Sequence, residues 1–456
     1  MTLGSRRFLT TVILPLSFLA VLLAGCVLAT PPATPTPPAE VPQELSGVWE
    51  VWQVLSQEHL QGEGLDADKL ELGAIREMLE ALGDPDAAET IRQQYQLQQD
   101  GPGAELSGIW EVWRLLAQAS PQQATQDAEE LEAGAIRGML EALGDPYASY
   151  LTRQQYMLEQ GDLAGSFHGI GAEVTIRDGR LTIVAPLPDT PAERAGILPG
   201  DVILEVDGED AEGLSLLDSV LKIRGAEGTP VTLLVQRQGQ PEPFRVAIVR
   251  ELIQITTVFW EMLPDQMAHL KLRSFARTTD EELAQALREI DQQGGKAIVL
   301  DLRNNPGGLL DATVRATSQF LEDGLVVYEI DGRGERRDWV VQRRGLARDI
   351  PLVVLVNQFS ASGSEVLAGA LQDHHRAVLV GTQTFGKGSV NTFRELQDGS
   401  AVYFTIARWY TPNGTLIEGE GILPDILVEM PPDSPEDPQL LRAVDYLEST
   451  IAVGVP

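Results

Sequence analysis

The stretch that decides the fold is NQFSASGSEVLAGALQDHHRAVLVGTQTFGKGSVN, residues 357–391. It continues an apolar run, PLVVLVN, that is typical of a buried strand, and its own apolar spacing predicts a helix over about Gly363–Asp373. Ser362 stands at the junction between this strand and this helix. A strand that leads directly into a helix is the repeating unit of an α/β fold.

The same alternation continues on both sides of this stretch. The runs HLKLRSF and KAIVLDLR predict buried strands, AVYFTIARWYT predicts a further strand, and helices are expected over 280–293 and 309–321. We therefore predict an α/β core with a mixed sheet over residues 251–430. A C-terminal helix and tail are predicted over 431–456, with the helix in PEDPQLLRAVDYLES.

A different pattern precedes the core. Over residues 161–250, short alternating apolar runs, Asp-Gly turns and one predicted helix, Leu214–Ile223, indicate a small β-rich module. Two of its segments, GIGAEV and PAERAGILPGDVILEVDG, resemble a PDZ domain. The resemblance implies that Gly169, Ile170 and Gly171 form a loop that binds the C-terminal carboxylate of a protein, while a strand edge pairs with the ligand backbone. A PDZ fold without a peptide ligand is the alternative.

An internal duplication occupies residues 44–160. The segment 44–99, which begins ELSGVWEVWQVL, recurs over 105–160 with the beginning ELSGIWEVWRLL, at a constant offset and without a gap. Apolar residues at helical spacing and a Gly-Asp-Pro stop predict that each copy is a helical hairpin. The region is rich in acidic residues. Its simplest role is a helical platform or a dimerisation arm, and docking of a partner protein is the alternative.

Composition and charge exclude some classes of function. The 456 residues are 43% hydrophobic and 22% charged, which fits a folded chain of two or three domains. The formal net charge of −33 and the lack of any basic run argue against nucleic-acid binding, because clustered Lys and Arg are needed to bind phosphates. The same charge would repel an anionic membrane surface.

The N-terminus predicts export and a lipid anchor. Two arginines and an apolar run from Phe8 precede Leu-Ala-Gly-Cys, which resembles a bacterial lipobox ending at Cys26. We therefore predict a signal over residues 1–26, lipidation of Cys26, and a proline-rich tether over 27–43 that holds the protein outside the cytoplasm, on the cell membrane of a bacterial envelope. An uncleaved membrane helix is the alternative. The chain has one cysteine, so no internal disulfide is expected.

Ser362 is the candidate nucleophile. A serine between a strand and a helix can point its hydroxyl into a cleft, where the helix N-terminus favours negative charge. Helix capping alone is the alternative. His374 and His375 follow about three turns later, near the far end of the helix, and are not expected to reach Ser362. The QDHH run also lacks the i, i+4 spacing of a zinc site, so no metal is predicted.

Lys387 is the candidate base. It lies in GTQTFGKGSV, where burial would lower the pKa of its amine and allow the amine to take the serine proton, as in Ser-Lys catalysis. On this pattern alone, a solvated lysine in a glycine turn is the alternative.

Together these segments resemble the carboxyl-terminal processing peptidases, the tail-specific serine proteases of family S41. The family motifs Ser-Ala-Ser-x-Ser-Glu and Phe-Gly-Lys-Gly match the sequence around Ser362 and Lys387. The family segment Asp-Leu-Arg-x-Asn-x-Gly-Gly resembles DLRNNPGGLL. This resemblance implies an oxyanion hole formed by the backbone N–H groups of Gly307, Gly308 and Gly363.

The resemblance covers about residues 130–430, and the chain departs from the family at two positions. Asn391 stands where the family commonly has a glutamine that orients the lysine. Since asparagine is one methylene shorter, this orienting hydrogen bond is expected to be lost or remade. Gly363 replaces the usual alanine after the nucleophile, which leaves its N–H available and makes the turn more flexible.

The resemblance therefore implies a multidomain α/β serine endopeptidase without a metal or cofactor. It would bind protein substrates by their C-terminal residues and cleave them through an acyl-enzyme. Family members also associate through their helical ends, so the duplicated region is expected to extend self-association or to bind an adaptor. Two alternatives remain, an inactive envelope scaffold that uses the PDZ-like module and an esterase of related fold.

Overall fold

The computed structural model of the chain covers residues 38–98, 106–177, 179–342, 345–431 and 436–453. The predicted signal with Cys26, and residues 27–37 of the predicted tether, lie outside this described part. Within it, no helix is both long enough and apolar enough to cross a membrane. The described chain forms two compact units, one over residues 168–253 and one over the remaining residues.

The duplicated region is helical, as predicted. Its first copy contains α1 (Ser46–Glu58), α2 (Ala67–Ala81) and α3 (Pro85–Gln98), and its second copy contains α4 (Ser107–Ala119), α5 (Pro121–Gln126) and α6 (Ala128–Leu143). The sequence predicts two separate hairpins, whereas the structure pairs helices between the copies. Helix α1 packs against α6, α4 packs against α2, and α2 packs along α6. The two copies therefore share one apolar core.

After α6 the second copy departs from the repeat. Its Tyr-Ala-Ser-Tyr-Leu segment forms β1 (Ser149–Leu151), where the first copy has the start of α3. The hydroxyl of Thr152 then caps α7 (Arg153–Ala164) by accepting a hydrogen bond from the N–H of Gln155. The second copy thus leads into a strand, and the first does not.

Glu132 of α6 is a partly buried carboxylate between the two copies, and it predicts a pH effect on stability. Burial raises the pKa of Glu132 to about 7, the carboxylates of Asp398 and Glu50 add to the shift, and the N–H groups of Gly47 and Val48 oppose it. The folded protein therefore binds this proton more tightly than the unfolded chain does. Consequently the contribution of Glu132 to the free energy of unfolding falls as the pH rises from about 4.5 to about 7.

Glu132→Gln keeps an oxygen for the N–H of Gly47 and removes the titration. We expect the variant to unfold at a higher denaturant concentration than the wild type at pH 8, and at a similar one at pH 4.5. Glu129→Gln, on an exposed position of the same helix, is the matched control and should show no such pH-dependent difference. An equal effect of Glu132→Gln at both pH values would contradict the assigned cause.

Residues 166–254 contain the predicted β-rich module. Its elements are β2 (Ser166–Gly169), β3 (Ala172–Arg177), β4 (Arg180–Pro186), α8 (Pro191–Arg194), β5 (Val202–Val206), β6 (Glu209–Asp210), α9 (Leu216–Ile223), β7 (Pro230–Gln236), β8 (Phe244–Val249) and β9 (Glu251–Gln254). The main sheet is antiparallel, with the order β3-β4-β5-β7-β8 and with β6 beside β5. Helix α9 begins at Leu216 instead of the predicted Leu214 because Ser215 caps it, accepting a hydrogen bond from the N–H of Asp218.

The remaining chain forms the predicted α/β core. Its elements are β10 (Val258–Met262), β11 (Met267–Leu272), α10 (Thr279–Gln292), β12 (Ala297–Asp301), α11 (Leu310–Thr317), β13 (Leu325–Asp331), β14 (Arg336–Val340), β15 (Leu352–Val356), α12 (Gly363–Asp373), β16 (Val378–Gly381), β17 (Ser389–Glu395), β18 (Ala401–Tyr410), β19 (Ile426–Leu427) and α13 (Pro438–Val453). One sheet has the order β10-β11-β12-β15-β16-β19. Its first pair is antiparallel and the others are parallel, which confirms the mixed sheet.

Helices cover both faces of this sheet, so every residue of β12 and β15 is buried. Residues of α10, α11 and α12 join the core on one face, and α13 covers the other face. A second sheet has the order β1-β18-β13-β14, with β17 beside β18. Strands β12 and β15 are parallel neighbours. The loop with Gly307 and the turn with Ser362 therefore leave the same edge of the sheet, where α/β folds commonly place their sites.

Candidate active site

Ser362 lies in a sharp turn between β15 and α12. Its φ of 55° falls in the left-handed region that residues with a Cβ rarely adopt, and the residue is completely buried. The preceding turn is tied to the loop after β12. The hydroxyl of Ser360 donates to the carbonyl of Leu302 (2.9 Å), and the N–H of Ala361 donates to the carbonyl of Asn305 (3.0 Å). These bonds place Ser362 at the N-terminus of α12 and beside that loop.

Glu365, in the first turn of α12, holds the backbones of Ser362 and Lys387 together. Its Oε2 accepts hydrogen bonds from the N–H of Ser362 (2.8 Å) and from the N–H of Lys387 (2.9 Å). Its Oε1 accepts from the hydroxyl of Thr384 and from the N–H of Gly386, both at 2.6 Å. Burial raises the pKa of Glu365, and these four donors oppose that shift. One buried carboxylate therefore brings the two candidate catalytic residues to a common point.

Sequence reasoning assigned no role to Glu365. A partial signal was present, because a Ser-x-x-Glu run before an apolar helix is typical of a capping box. That pattern accounts for the bond to Ser362. It does not reveal the bonds to residues 19, 21 and 22 positions further along the chain, which depend on the tertiary fold.

Lys387 is completely buried, so it is not the solvated lysine of the alternative interpretation. Its Nζ lies 5.1 Å from the centre of the Tyr147 ring and 6.0 Å from the centre of the Tyr403 ring. The amine of Lys387 is therefore shielded from water and lies near two aromatic rings.

Tyr147 belongs to the segment that follows α6, and sequence reasoning did not single it out. Burial raises the pKa of Tyr147, and a hydrogen bond between its hydroxyl and Glu418 adds to the shift. Oε2 of Glu418 also accepts a hydrogen bond from the N–H of Gly388 (2.8 Å). The carboxylate of Glu418 thus connects Tyr147 to the residue directly after Lys387.

Asn391 is completely buried in β17. Its Nδ2 donates to the hydroxyl of Thr405 on β18 (3.0 Å). Its Oδ1, the atom that could accept a hydrogen bond from the amine of Lys387, has no partner among the described residues. The amide is thus oriented by Thr405, and an orienting role towards Lys387 stays a prediction.

Two of the three glycines of the predicted oxyanion hole, Gly307 and Gly308, differ in what their N–H groups do. The N–H of Gly307 donates to Oδ1 of Asn305 (2.8 Å), so it could bind an oxyanion only if this bond broke. The residues on either side of Gly308 hydrogen-bond to Phe275. The N–H of Phe275 donates to the carbonyl of Gly307, and the N–H of Leu309 donates to the carbonyl of Phe275, so the N–H of Gly308 takes part in neither bond. A Cβ on Gly308 would lie 2.2 Å from the carbonyl oxygen of Phe275, so only glycine fits there.

Gly363 is the first residue of α12, where a helix leaves its backbone N–H without an intrahelical acceptor. A Cβ at this position would lie 2.5 Å from the hydroxyl oxygen of Thr313 and 3.1 Å from the ring of Phe275. An alanine at this position would therefore require the side chains of Thr313 and Phe275 to move.

The histidines lie away from Ser362 or have other partners. His374 follows the far end of α12, and its Nε2 lies 2.8 Å from the carbonyl oxygen of Leu325. His375 is exposed and has a φ of 53°. Nε2 of His269 lies 3.0 Å from Oδ2 of Asp301. In the described ranges, no three His, Cys, Asp or Glu side chains are grouped so that they could hold a metal ion.

The predicted carboxylate-binding loop lies within the β-rich unit. Gly169 ends β2, Ile170 is buried in the core of the unit, and Gly171 has a φ of +73°. A Cβ on Gly171 would lie 2.4 Å from Cβ of Thr190, so a side chain there would collide. Helix α9 packs beside β3, the strand that follows the loop. The loop therefore leads directly into a strand that packs beside a helix, an arrangement that peptide binding by strand addition uses.

Comparisons with known proteins agree with this architecture. Residues 266–428 match the model of peptidase family S41, residues 182–237 match a PDZ domain, and residues 86–155 match the N-terminal domain of the activating protease CtpB. The chain is 41% identical over 313 residues to a carboxy-terminal-processing protease of Bartonella bacilliformis, a match that covers 67% of this chain and 71% of that protein.

Two further relatives extend the comparison. The carboxy-terminal processing protease CtpA of Bacillus subtilis is 36% identical over 305 residues, which cover 67% of this chain and 65% of that protein. The solved structure of a photosystem II D1 C-terminal processing protease is 28% identical and has a TM-score of 0.49, over 89% of this chain and 97% of that one. The match to the Bartonella protease, together with the match of residues 266–428 to the family model, establishes that the chain belongs to peptidase family S41, among the carboxy-terminal processing serine proteases.

Proposed function

We propose that the chain is a serine endopeptidase that cleaves exported proteins recognised by their C-terminal residues, through a Ser362–Lys387 dyad. The observation that carries the proposal is the binding of both backbone N–H groups to one oxygen of the buried Glu365. A serine at the N-terminus of a helix and a lysine buried between two tyrosine rings then share one site.

In the proposed mechanism, the neutral amine of Lys387 takes the proton of the Ser362 hydroxyl as the serine oxygen attacks the scissile carbonyl carbon. The N–H groups of Gly308 and Gly363 stabilise the negative charge on the carbonyl oxygen. The C–N bond breaks to leave an acyl-enzyme, and Lys387 gives its proton to the departing amine. Water then attacks the acyl-enzyme with Lys387 again as the base, which restores Ser362 and releases the new C-terminus. No metal or cofactor is required.

We also propose that the PDZ domain selects the substrate and that Cys26 carries the lipid anchor. The loop over residues 169–171, in which only glycine fits at position 171, and the packing of α9 beside β3 support the first of these proposals. The lipobox-like segment before Cys26 supports the second, and with it a location outside the cytoplasm.

The experiment uses protein that begins at Leu28 and two unfolded substrates that differ only at the C-terminus, one apolar and one ending in two aspartates. We expect faster cleavage of the apolar substrate, and a covalent adduct of Ser362 with the N-terminal fragment in intact-mass spectra at short times. The Ser362→Ala variant sets the background. An apolar C-terminal peptide is also added in trans, in case ligand binding is needed for activity.

Each outcome decides a separate part of the proposal. Equal cleavage of both substrates would refute C-terminal selection and leave the peptidase assignment intact. Cleavage by the wild type that persists in Ser362→Ala would refute the assigned nucleophile. A lack of cleavage under every condition, from a protein with a cooperative unfolding transition, would favour a scaffold over an enzyme.

A further inference from the structure

The two copies of the helical repeat contact each other through equivalent positions. Gly47 and Gly108 correspond in the duplication, as do Glu71 and Glu132. The N–H of Gly47 donates to Oε1 of Glu132 (2.6 Å), and the N–H of Gly108 donates to Oε2 of Glu71 (2.8 Å). The first helix of each copy is therefore capped by a carboxylate of the other copy.

The crossing of α2 and α6 shows the same reciprocity. A Cβ on Gly73 would lie 2.4 Å from the carbonyl oxygen of Gly138. A Cβ on Gly134, the equivalent of Gly73, would lie 2.9 Å from the carbonyl oxygen of Glu77, the equivalent of Gly138. The two helices thus approach closely, backbone to backbone, around a local two-fold axis.

The apolar residues of the repeat are buried in equivalent pairs within one core. These pairs are Leu45 and Leu106, Val51 and Val112, Trp52 and Trp113, Leu55 and Leu116, Leu70 and Leu131, Ile75 and Ile136, and Met78 and Met139. Since α1 packs against α6 and α4 packs against α2, each copy uses its first helix to cover the other copy. One copy by itself would leave much of this apolar surface exposed to water.

Reciprocal contacts between equivalent positions, with an exchanged element, are the geometry of a two-fold dimer. Both halves here belong to one chain. We infer that the helical region is a dimer interface closed within a single chain. The first repeat copy covers a surface of α4 and α6 that another molecule of this protein would otherwise cover. The duplication then replaces self-association at this surface.

Additional bonds hold the first copy on the core of its own chain. The N–H of Leu60 donates to the carbonyl of Thr405 on β18 (2.9 Å), and the guanidinium of Arg394 pairs with Glu58 (3.0 Å). Nε2 of His59 lies 3.6 Å from Oδ2 of Asp145, which also accepts a hydrogen bond from the N–H of Thr405 (2.8 Å). Another chain could displace the first copy only by breaking these contacts.

The first test compares molar masses by light scattering over a range of concentrations. The chain that begins at Leu28 is expected to show the mass of one chain, and a chain that begins at Glu105 the mass of two. In the shorter chain, Gly138→Leu should restore the mass of one chain, because a side chain there blocks the close crossing of two α6 helices. Arg137→Leu, at an exposed position next to it, is the control and should leave the pair intact.

The second test uses the intact chain and therefore does not depend on how well the shorter one folds. Arg76 of α2 and Glu141 of α6 form an ion pair (2.6 Å), and protein from Leu28 onward lacks cysteine. In the Arg76→Cys/Glu141→Cys variant, a short bis-maleimide should join the two thiols within one chain at every protein concentration. Denaturing gels and intact mass would show a cross-linked species of one chain.

Two results would overturn the inference. One is a folded Glu105 chain that keeps the mass of one chain at high concentration. The other is a cross-linked band at twice the chain mass, because it would show that α2 of one chain pairs with α6 of another. The single-cysteine variants identify any product that forms by collision.

Discussion

Replacement of Lys387 by methionine is expected to lower kcat for cleavage of an unfolded substrate by roughly 10⁴-fold, as is replacement of Ser362 by alanine. Methionine fills most of the volume of the lysine side chain but has no amine to take the serine proton. The double variant should lose no more than either single variant, because the two residues act in the same step. Initial rates at saturating substrate measure these effects.

The stability of the same variants separates catalysis from folding. Because Lys387 is completely buried, methionine removes an amine that would have to be dehydrated in its charged form. We therefore expect Lys387→Met to unfold at the same temperature as the wild type or above it. Lys296→Met, at an exposed position, is the control for a lost lysine and should retain full activity. A Lys387→Met protein with more than a tenth of the wild-type rate would contradict the role of the lysine as base.

Glu365→Ala is expected to cause the largest loss of stability, roughly 3–5 kcal/mol, together with loss of activity. It leaves four donors without their acceptor, namely the N–H groups of Ser362, Gly386 and Lys387 and the hydroxyl of Thr384. Buried donors without an acceptor are unfavourable because they lose their hydrogen bonds to water and gain none in the protein.

Glu365→Gln tests whether two oxygens are required. One side of the amide would present an NH₂ group to N–H or O–H donors, so we expect most of the activity to be lost and an intermediate loss of stability. Glu420→Ala, on an exposed position of a nearby loop, is the matched control. Urea unfolding and initial cleavage rates measure both effects. If Glu365→Gln had wild-type activity, the carboxylate would not be the group that positions Ser362 and Lys387.

The elements of the fold that depend on local patterns were predictable. Helix α12 has the predicted bounds, because its apolar spacing is continuous and Ser362 precedes it. The helix expected over 309–321 ends at Thr317, in a stretch where Thr317 and Ser318 hydrogen-bond through their hydroxyls to carbonyls four residues earlier. Such bonds compete with regular helix hydrogen bonding, and an apolar pattern does not record them.

The site was predictable only in part. Ser362 and Lys387 could be singled out as candidates because they stand in distinctive local runs. The partners that define their surroundings are distant in sequence, since Tyr147 lies in the segment after the helical repeat and Thr405, which orients Asn391, lies on the next strand. Pairing between the repeat copies was missed for the same reason, because helical spacing shows which face of a helix is apolar but not which helix covers it.

The contact between α2 of the first copy and α6 of the second affects how the protein responds to dilution. A contact between separate subunits weakens as their concentration falls, since dissociation is then favoured by mass action. Here α1 through α6 belong to one polypeptide, so α2 and α6 meet at a local concentration that the length of the intervening chain determines. A protein present at a few molecules per cell would therefore keep its helical region as fully assembled as one present at thousands.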